Sequence, residues 1–250
     1  MTNIICPLTW IPLRREPDHR SELVSQLLFG ETAVISEEYS DWYKIITDFD
    51  SYTGWLEKDS VKIIDNIEKN KKKWVVKEPF LRLKCETESF ILCAGSEISI
   101  ADPERAVIIN NQHFVPETPF KTIQNPLTED AKNFLHAPYL WGGRTIFGID
   151  CSGFIQILFK VRGINLPRDA KDQALVGENV ESLNSIKTGD LVFFSQGNDT
   201  ITHVGLYLGE NKVIHASKRV RIDTLDEKGI LNKELQQYTH RFECIKRIPL

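Results

Sequence analysis

Through residues 1 to 64 the apolar positions come in short alternating runs. Thr32 to Ile35, Trp42 to Thr47 and Thr53 to Leu56 carry β-branched and aromatic residues, and Gly30, Ser40-Asp41 and Asp48 to Ser51 break them with turn-formers. That pattern predicts a small antiparallel barrel over residues 1–65, with Trp42, Tyr43, Tyr52 and Trp55 chiefly in its core. Asn66 to Lys73, NIEKNKKK, reads as a solvated charged connector. Short apolar segments resume at Phe90 to Cys93, Glu97 to Ile100 and Ala106 to Ile109, with a hairpin turn at Asn110-Asn111, so a second small β-domain is predicted over residues 74–115. Pro116, Pro119 and Pro126 then mark a connector.

From Leu127 the period changes. Thr128 is the expected N-cap of a helix in which Ala131, Phe134 and Leu135 share a face, and which stops before Pro138. Phe154, Ile155, Leu158 and Phe159 lay an apolar face along a second helix, which Gly163 ends. Pro167 to Leu175 reads as a third, short one. The period then becomes two. A turn at Lys187 to Asp190 feeds a strand Leu191 to Phe194, His203 to Leu208 and Lys212 to Ala216 follow around Gly209, and charged residues run on to a last strand, Arg241 to Ile248. Helices first and an antiparallel sheet second predict an α+β domain over residues 127–250.

Composition narrows the classes. The 250 residues, 41% hydrophobic and 26% charged, suffice for one large core or two to three small ones. A net charge of −4 gives no nucleic-acid footprint. No apolar run approaches the roughly 20 residues of a membrane span. The stretch MTNIICPLTWIPLRR has no basic region ahead of an apolar core, and Ile5 before Cys6 is not the small residue that lipoprotein processing wants, so a cytoplasmic location is expected. Five cysteines without metal spacing fit a reduced chain.

The candidate chemistry centres on Cys151. It stands between Asp150 and Ser152 where a loop containing Gly142, Gly143 and Gly148 becomes a helix. The free N–H groups and partial positive charge of a helix start favour thiolate, and can lower a cysteine pKa from about 8.5 to roughly 3.5–7.5. The alternative is a buried, inert cysteine. A nucleophile needs a base and a group to orient that base. His203 and His215 are 12 residues apart with Gly209 at their midpoint. A hairpin centred there sets them opposite each other on one face, Cβ atoms about 5 Å apart. His203 then contacts Cys151 while His215 fixes its tautomer. A metal site is the rival for paired histidines, but no third ligand has matching spacing.

The stretches PYLWGG, GIDCSGF, GDLVFF, THVGLYLG and VIHAS resemble the NlpC family of papain-like cysteine peptidases, over roughly residues 127–250. The resemblance implies a papain-like fold, with Cys151 as nucleophile, His203 as base, His215 as orienting residue, and Tyr139 with the Cys151 N–H polarising the substrate carbonyl. Two small β-barrels ahead of such a domain are similar to the layout of γ-D-glutamyl-L-diamino-acid endopeptidases, which carry bacterial SH3-like domains. That group cuts free L-Ala-γ-D-Glu-diamino-acid peptides between D-Glu and the diamino acid. It implies that Asp150 and Ser152 hold the substrate amine, that Arg168 and Asp169 line the same pocket, and that an acid and a tyrosine from the first barrel close it. Glu31, in LLFGE, and Tyr52, in YTGW, are the candidates here. Ala170 departs from the pattern, where a small hydroxyl residue is expected.

No metal or organic cofactor is implied. The expected partner is a small murein peptide, with no nucleic acid and no membrane, and the chain is expected to be a monomer. The competing readings are a secreted hydrolase of intact cell wall with wall-binding barrels, a catalytically dead peptide-binding module, and an acyltransferase on the same scaffold.

Overall fold

The computed structural model describes residues 2–66, 73–98, 107–109, 112–120, 125–196, 200–232 and 234–249. The chain forms two compact units, Met1–Ile123 and Gln124–Leu250.

In the first unit seven strands are β1 (Asn3–Ile5), β2 (Trp10–Arg14), β3 (Leu23–Leu28), β4 (Thr32–Tyr39), β5 (Trp42–Thr47), β6 (Thr53–Glu57) and β7 (Lys62–Ile64). They form one antiparallel sheet in the order β3-β2-β6-β5-β4-β1-β7. Alternate residues of each strand point to one side, and Ile4, Ile11, Leu13, Leu27, Ile45 and Leu56 meet there as a buried core. Trp42 and Trp55 are buried, whereas Tyr43 and Tyr52 are half-buried.

A smaller set of strands follows: β8 (Trp74–Val75), β9 (Phe80–Lys84), β10 (Ser89–Cys93), β11 (Glu97–Ile98), β12 (Val107–Ile109) and β13 (Gln112–Pro116). They pair as β10-β9-β13-β12 and as β11-β8. Val76, Leu81, Leu83, Leu92, Ile98 and Phe114 make a second core, which Phe29, in the turn after β3, joins. The predicted turn at Asn110-Asn111, and most of the charged connector between Asn66 and Lys73, lie outside the described residues.

The second unit has three helices, α1 (Leu127–Lys132), α2 (Cys151–Lys160) and α3 (Ala170–Gln173), among its described residues. Its strands are β14 (Arg144–Thr145), β15 (Gly148–Ile149), β16 (Glu178–Val180), β17 (Leu191–Ser195), β18 (Ile201–Gly209), β19 (Lys212–Ser217), β20 (Arg219–Asp226), β21 (Gly229–Asn232) and β22 (Gln237–Arg247). The main sheet runs β16-β22-β17-β18-β19-β20-β21, and a further pairing of β21 with β22 closes six of these strands into a barrel. The unit is therefore mostly sheet, with α2 packed against β18 and β19.

Several local expectations are corrected. Pro126, at φ −51° and ψ 143°, is the N-cap of α1, so the chain is already helical at Leu127 and Thr128 lies inside the first turn. That helix does stop before Pro138, but already at Lys132, so Phe134 and Leu135 lie beyond it. Of the stretch Pro167 to Leu175 only α3 is helical. The charged stretch ahead of the last strand holds two strands, β20 and β21.

The hairpin between β18 and β19 also differs from the prediction. It pairs Leu206 with Ile214 and Tyr207 with Val213, and then shifts register at Gly209. Glu210 and Asn211, with φ of 51° and 55°, make the turn, and Gly209, with φ of 92°, sits beside it in the bulge. The pairing is thus displaced by two residues from one centred on Gly209. An even shift preserves the face, so His203 and His215 stay on one side of the sheet as diagonal neighbours.

Candidate active site

Asp150 caps α2. Its Oδ1 accepts the Gly153 N–H at 2.7 Å, and its Oδ2 accepts the Gly142 N–H from the glycine loop at 2.8 Å. Arg168 donates to the same carboxylate twice, Nη1 to Oδ1 at 3.1 Å and Nη2 to Oδ2 at 2.6 Å. Arg168 Nη1 also reaches Ser152 Oγ at 2.9 Å, and that hydroxyl lies 3.3 Å from Asp150 Oδ1. Asp150, Ser152 and Arg168 are all buried. Five donors thus converge on a carboxylate with about four lone-pair sites. Asp150 is first a structural residue, which caps α2 and ties it to the glycine loop and to Arg168.

Cys151 is 6% exposed at the first position of α2. Its thiol is pushed up to about 12, first by burial and then by the negative charge of Asp150; the N–H groups of Val204 and Ser152 and the charge of Arg168 oppose this without offsetting it. The prediction of a resting thiolate is therefore reversed. The Asp150 side chain takes the Gly153 N–H for itself, so part of the field of the helix start never reaches sulfur. The Val204 N–H places the sulfur beside the strand that carries His203.

His203 and His215 are buried, and their rings meet edge to face with centroids 4.9 Å apart. Nε2 of His203 lies 2.8 Å from Nδ1 of His215. Gly205 makes this approach feasible: a Cβ there would lie 2.6 Å from Val213 Cγ2 and 3.1 Å from His215 Cβ. Burial and the neighbouring rings hold His203 well below the ordinary histidine value. Burial also lowers His215, against the opposing pull of Asp223. Thiol and imidazole are both neutral at rest.

Three further residues belong to this cluster. His215 Nε2 lies 3.1 Å from Asp223 Oδ2, and Arg221 Nη2 donates to Asp223 Oδ1 at 3.0 Å. His240 stacks on His203, centroids 4.0 Å apart and planes 22° from parallel. Ring nitrogens of His203, His215 and His240 lie within 4.8 Å of one another. Two of those rings already share a hydrogen bond, and the third covers a ring face, so their in-plane lone pairs do not converge on one point. The arrangement suits proton transfer better than metal ligation. Asp223 lies on β20 two residues beyond Arg221, which pairs with His215, so it shares that face; with β20 itself unpredicted, no signal in the sequence pointed to it.

Tyr139, half-buried, pairs with Ile149 next to the loop that leads into Cys151. Burial first, then Cys151 when ionised and the charge of Asp150, push its hydroxyl up, so it remains a donor. Asp169 precedes α3 and is half-buried; burial raises its carboxyl. Ala170 is buried. The second unit thus brings Cys151, His203, His215, Tyr139, Asp150, Ser152, Arg168 and Asp169 into one neighbourhood. Glu31 and Tyr52 lie in the first unit. Glu31 is buried and accepts the Leu28 N–H at 2.7 Å. Tyr52 immediately precedes β6, its N–H bonded to Thr47 Oγ1 at 2.9 Å.

Residues 136–239 match the NlpC/P60 family, and residues 13–61 match the bacterial dipeptidyl-peptidase SH3 domain. The chain is 34% identical over 236 residues to the gamma-D-glutamyl-L-lysine dipeptidyl-peptidase of Bacillus subtilis, covering 84% of this chain and 78% of that one. It is 28% identical to dipeptidyl-peptidase 6 of Lysinibacillus sphaericus, over 89% and 91% of the two chains. The crystal structure of an NlpC/P60 family protein from Bacillus cereus superposes with a TM-score of 0.83 at 20% identity, covering 98% of this chain and 99% of that one, which establishes the shared fold. With a papain-like unit following an SH3-like one, the chain belongs to the NlpC/P60 family of cysteine peptidases.

Proposed function

We propose that the protein hydrolyses the γ-D-glutamyl-diamino acid bond of free murein peptides that begin with L-Ala, in peptidoglycan recycling. The observation that carries this reading is a buried cysteine at a helix start, next to a strand whose His203 is hydrogen-bonded to His215. Similarity to proteins named for γ-D-glutamyl-L-lysine cleavage supports the bond.

As Sγ of Cys151 attacks the γ-carbonyl carbon, its proton passes to His203. The charge on the carbonyl oxygen is received by the Cys151 N–H, which lacks an intrahelical acceptor in the first turn, and by the Tyr139 hydroxyl. Removing one such donor typically lowers the rate about 10²–10³-fold. The intermediate collapses, the C–N bond breaks, and the departing amine takes the proton from His203. Water then gives a proton to His203 and its oxygen to the thioester carbon, releasing the acid and restoring the thiol.

In this reading Asp150 and Ser152 draw the substrate ammonium while Arg168 and Asp169 shape its surroundings. Glu31 and Tyr52 are carried as substrate-binding residues by the resemblance alone. The strands of residues 74–115 are a second SH3-like module, and the enzyme acts as a cytoplasmic monomer. The competing reading is a hydrolase of intact wall. Product analysis by mass spectrometry separates them. We expect the free tripeptide to be cut, its N-acetylated form to be spared, and Cys151→Ala and His203→Ala to be inactive. Faster digestion of intact sacculi than of free peptide would transfer the assignment to the wall.

A further inference from the structure

The site contains a proton-ordering device that starts from a residue outside the Cys–His–His set. Asp223 is buried, and its Oδ2 faces His215 Nε2 at 3.1 Å. Burial alone would raise its carboxyl, but the hydrogen bonds from His215 and Arg221 outweigh it and hold the group below the usual range, so it is ionised. An ionised carboxylate only accepts hydrogen bonds. His215 therefore carries its proton on Nε2, and its Nδ1 offers a lone pair. The atom 2.8 Å from that lone pair is His203 Nε2, which must supply the hydrogen. A neutral imidazole has a single N–H, so His203 is left with a bare Nδ1.

We infer that Asp223 is a positioning residue which, acting through His215, fixes His203 as the tautomer whose basic nitrogen is Nδ1. This rests on the proposed role of His203 as the base. Arg221 holds the carboxylate in place, Nη2 donating to Oδ1 at 3.0 Å with Nε 2.8 Å from Oδ2. Glu234 in turn accepts from Arg221 Nη1 at 3.3 Å. His240 covers a face of His203 and leaves its in-plane nitrogens to this chain of bonds. The polarity of β20 is inverted where the device requires it: Arg221 and Asp223 are buried while Ile222, between them, is exposed.

The test is a long-range 1H–15N correlation spectrum of the full chain labelled at histidine. In the unmodified protein we expect both His203 and His215 to be protonated at Nε2; a proton on His215 Nδ1 overturns the inference. In Asp223→Asn the amide must direct its N–H at Arg221, which cannot accept it, or at His215 Nε2. The second arrangement moves the His215 proton to Nδ1 and the His203 proton to Nδ1. Peptide cleavage should then fall by about 10³- to 10⁴-fold, the loss seen when a triad carboxylate becomes an amide and leaves its histidine in the wrong tautomer. Asp223→Ala offers no donor and should retain more activity than the amide, and Asp223→Glu should recover part of it. A purely structural role reverses that order, because the truncation disrupts more packing than the isosteric amide. Unchanged tautomers in Asp223→Asn, or greater activity in the amide than in Asp223→Ala, also sink the inference. If the unmodified protein fails to cut the peptide, the proposed substrate is wrong while the spectrum still decides the tautomer; if the variants do not fold, the unmodified spectrum still decides it.

Discussion

Arg168 grips the Asp150 carboxylate with two nitrogens, at 3.1 and 2.6 Å, one residue from Cys151. Both side chains are out of water, so neither charge is tolerable alone. Breaking such a pair from one side destabilises by about 3–5 kcal/mol. Arg168→Ala is expected to lower the stability of the second unit by that amount and to lose activity as the cap of α2 shifts. Chemical denaturation with a double-mutant cycle checks this. Arg168→Ala and Asp150→Ala effects that simply add would show that the pair is not coupled.

The neutral thiol gives a second expectation. With Cys151 pushed up to about 12 by burial and Asp150, little thiolate exists at neutral pH in the free enzyme. Alkylation by iodoacetamide should be slow at pH 7 and should climb steadily through pH 9 and 10, without a plateau. A plateau reached below pH 8 would mean a preformed thiolate–imidazolium pair.

The placement of Cys151 at a helix start and of His203 against His215 was legible because its signals are local. A cysteine ahead of Phe154, Ile155, Leu158 and Phe159 reads directly as a helix start, and the parity of 203 and 215 survives the two-residue error in hairpin register. The state of the thiol was not legible, because it depends on how deeply residues distant in sequence bury it. Strand β20 was missed for the opposite reason. Its RVRIDTLD alternation places charges inside and Ile222 outside, which is the reverse of what hydrophobic patterning assumes. Closure of the sheet by β21 against β22 is a long-range pairing that no local period announces.

Acid should weaken the second unit. His203 and His215 are lowered chiefly by burial, and burial likewise lowers His240, to about 4. The unfolded chain then binds protons from pH 6.5 downward while the folded chain does not, so stability is present above 6.5 and is lost as pH falls toward the folded values. His240 alone contributes on the order of 3 kcal/mol to that loss by pH 4, since each pKa unit is about 1.4 kcal/mol. Urea midpoints at pH 7.5, 5.5 and 4.5 should fall in that order, and His240→Phe, which keeps a ring on His203, should flatten the trend. The acid limb of kcat/KM should lie below 6.5 for the same reason, since His203 must be neutral to accept the thiol proton. Equal midpoints at the three pH values would show that these rings are not shielded from water.

Gly205 offers the sharpest test of ring placement. A methyl group there would lie 2.6 Å from Val213 Cγ2 and 3.1 Å from His215 Cβ, so β18 and β19 must separate or the ring must move. Overpacking of this kind costs about 1–3 kcal/mol, and a displacement of about 1 Å in a catalytic group can lower the rate on the order of 10²-fold. Gly205→Ala should therefore reduce kcat strongly with KM little changed, because the side chains proposed to bind substrate are elsewhere. Adding Val213→Ala removes the nearer clash and should return part of the activity, although the truncation opens a cavity of its own. Steady-state kinetics of the single and double variants decides the matter. Full activity in Gly205→Ala would mean that the His203–His215 contact at 2.8 Å does not limit the chemistry.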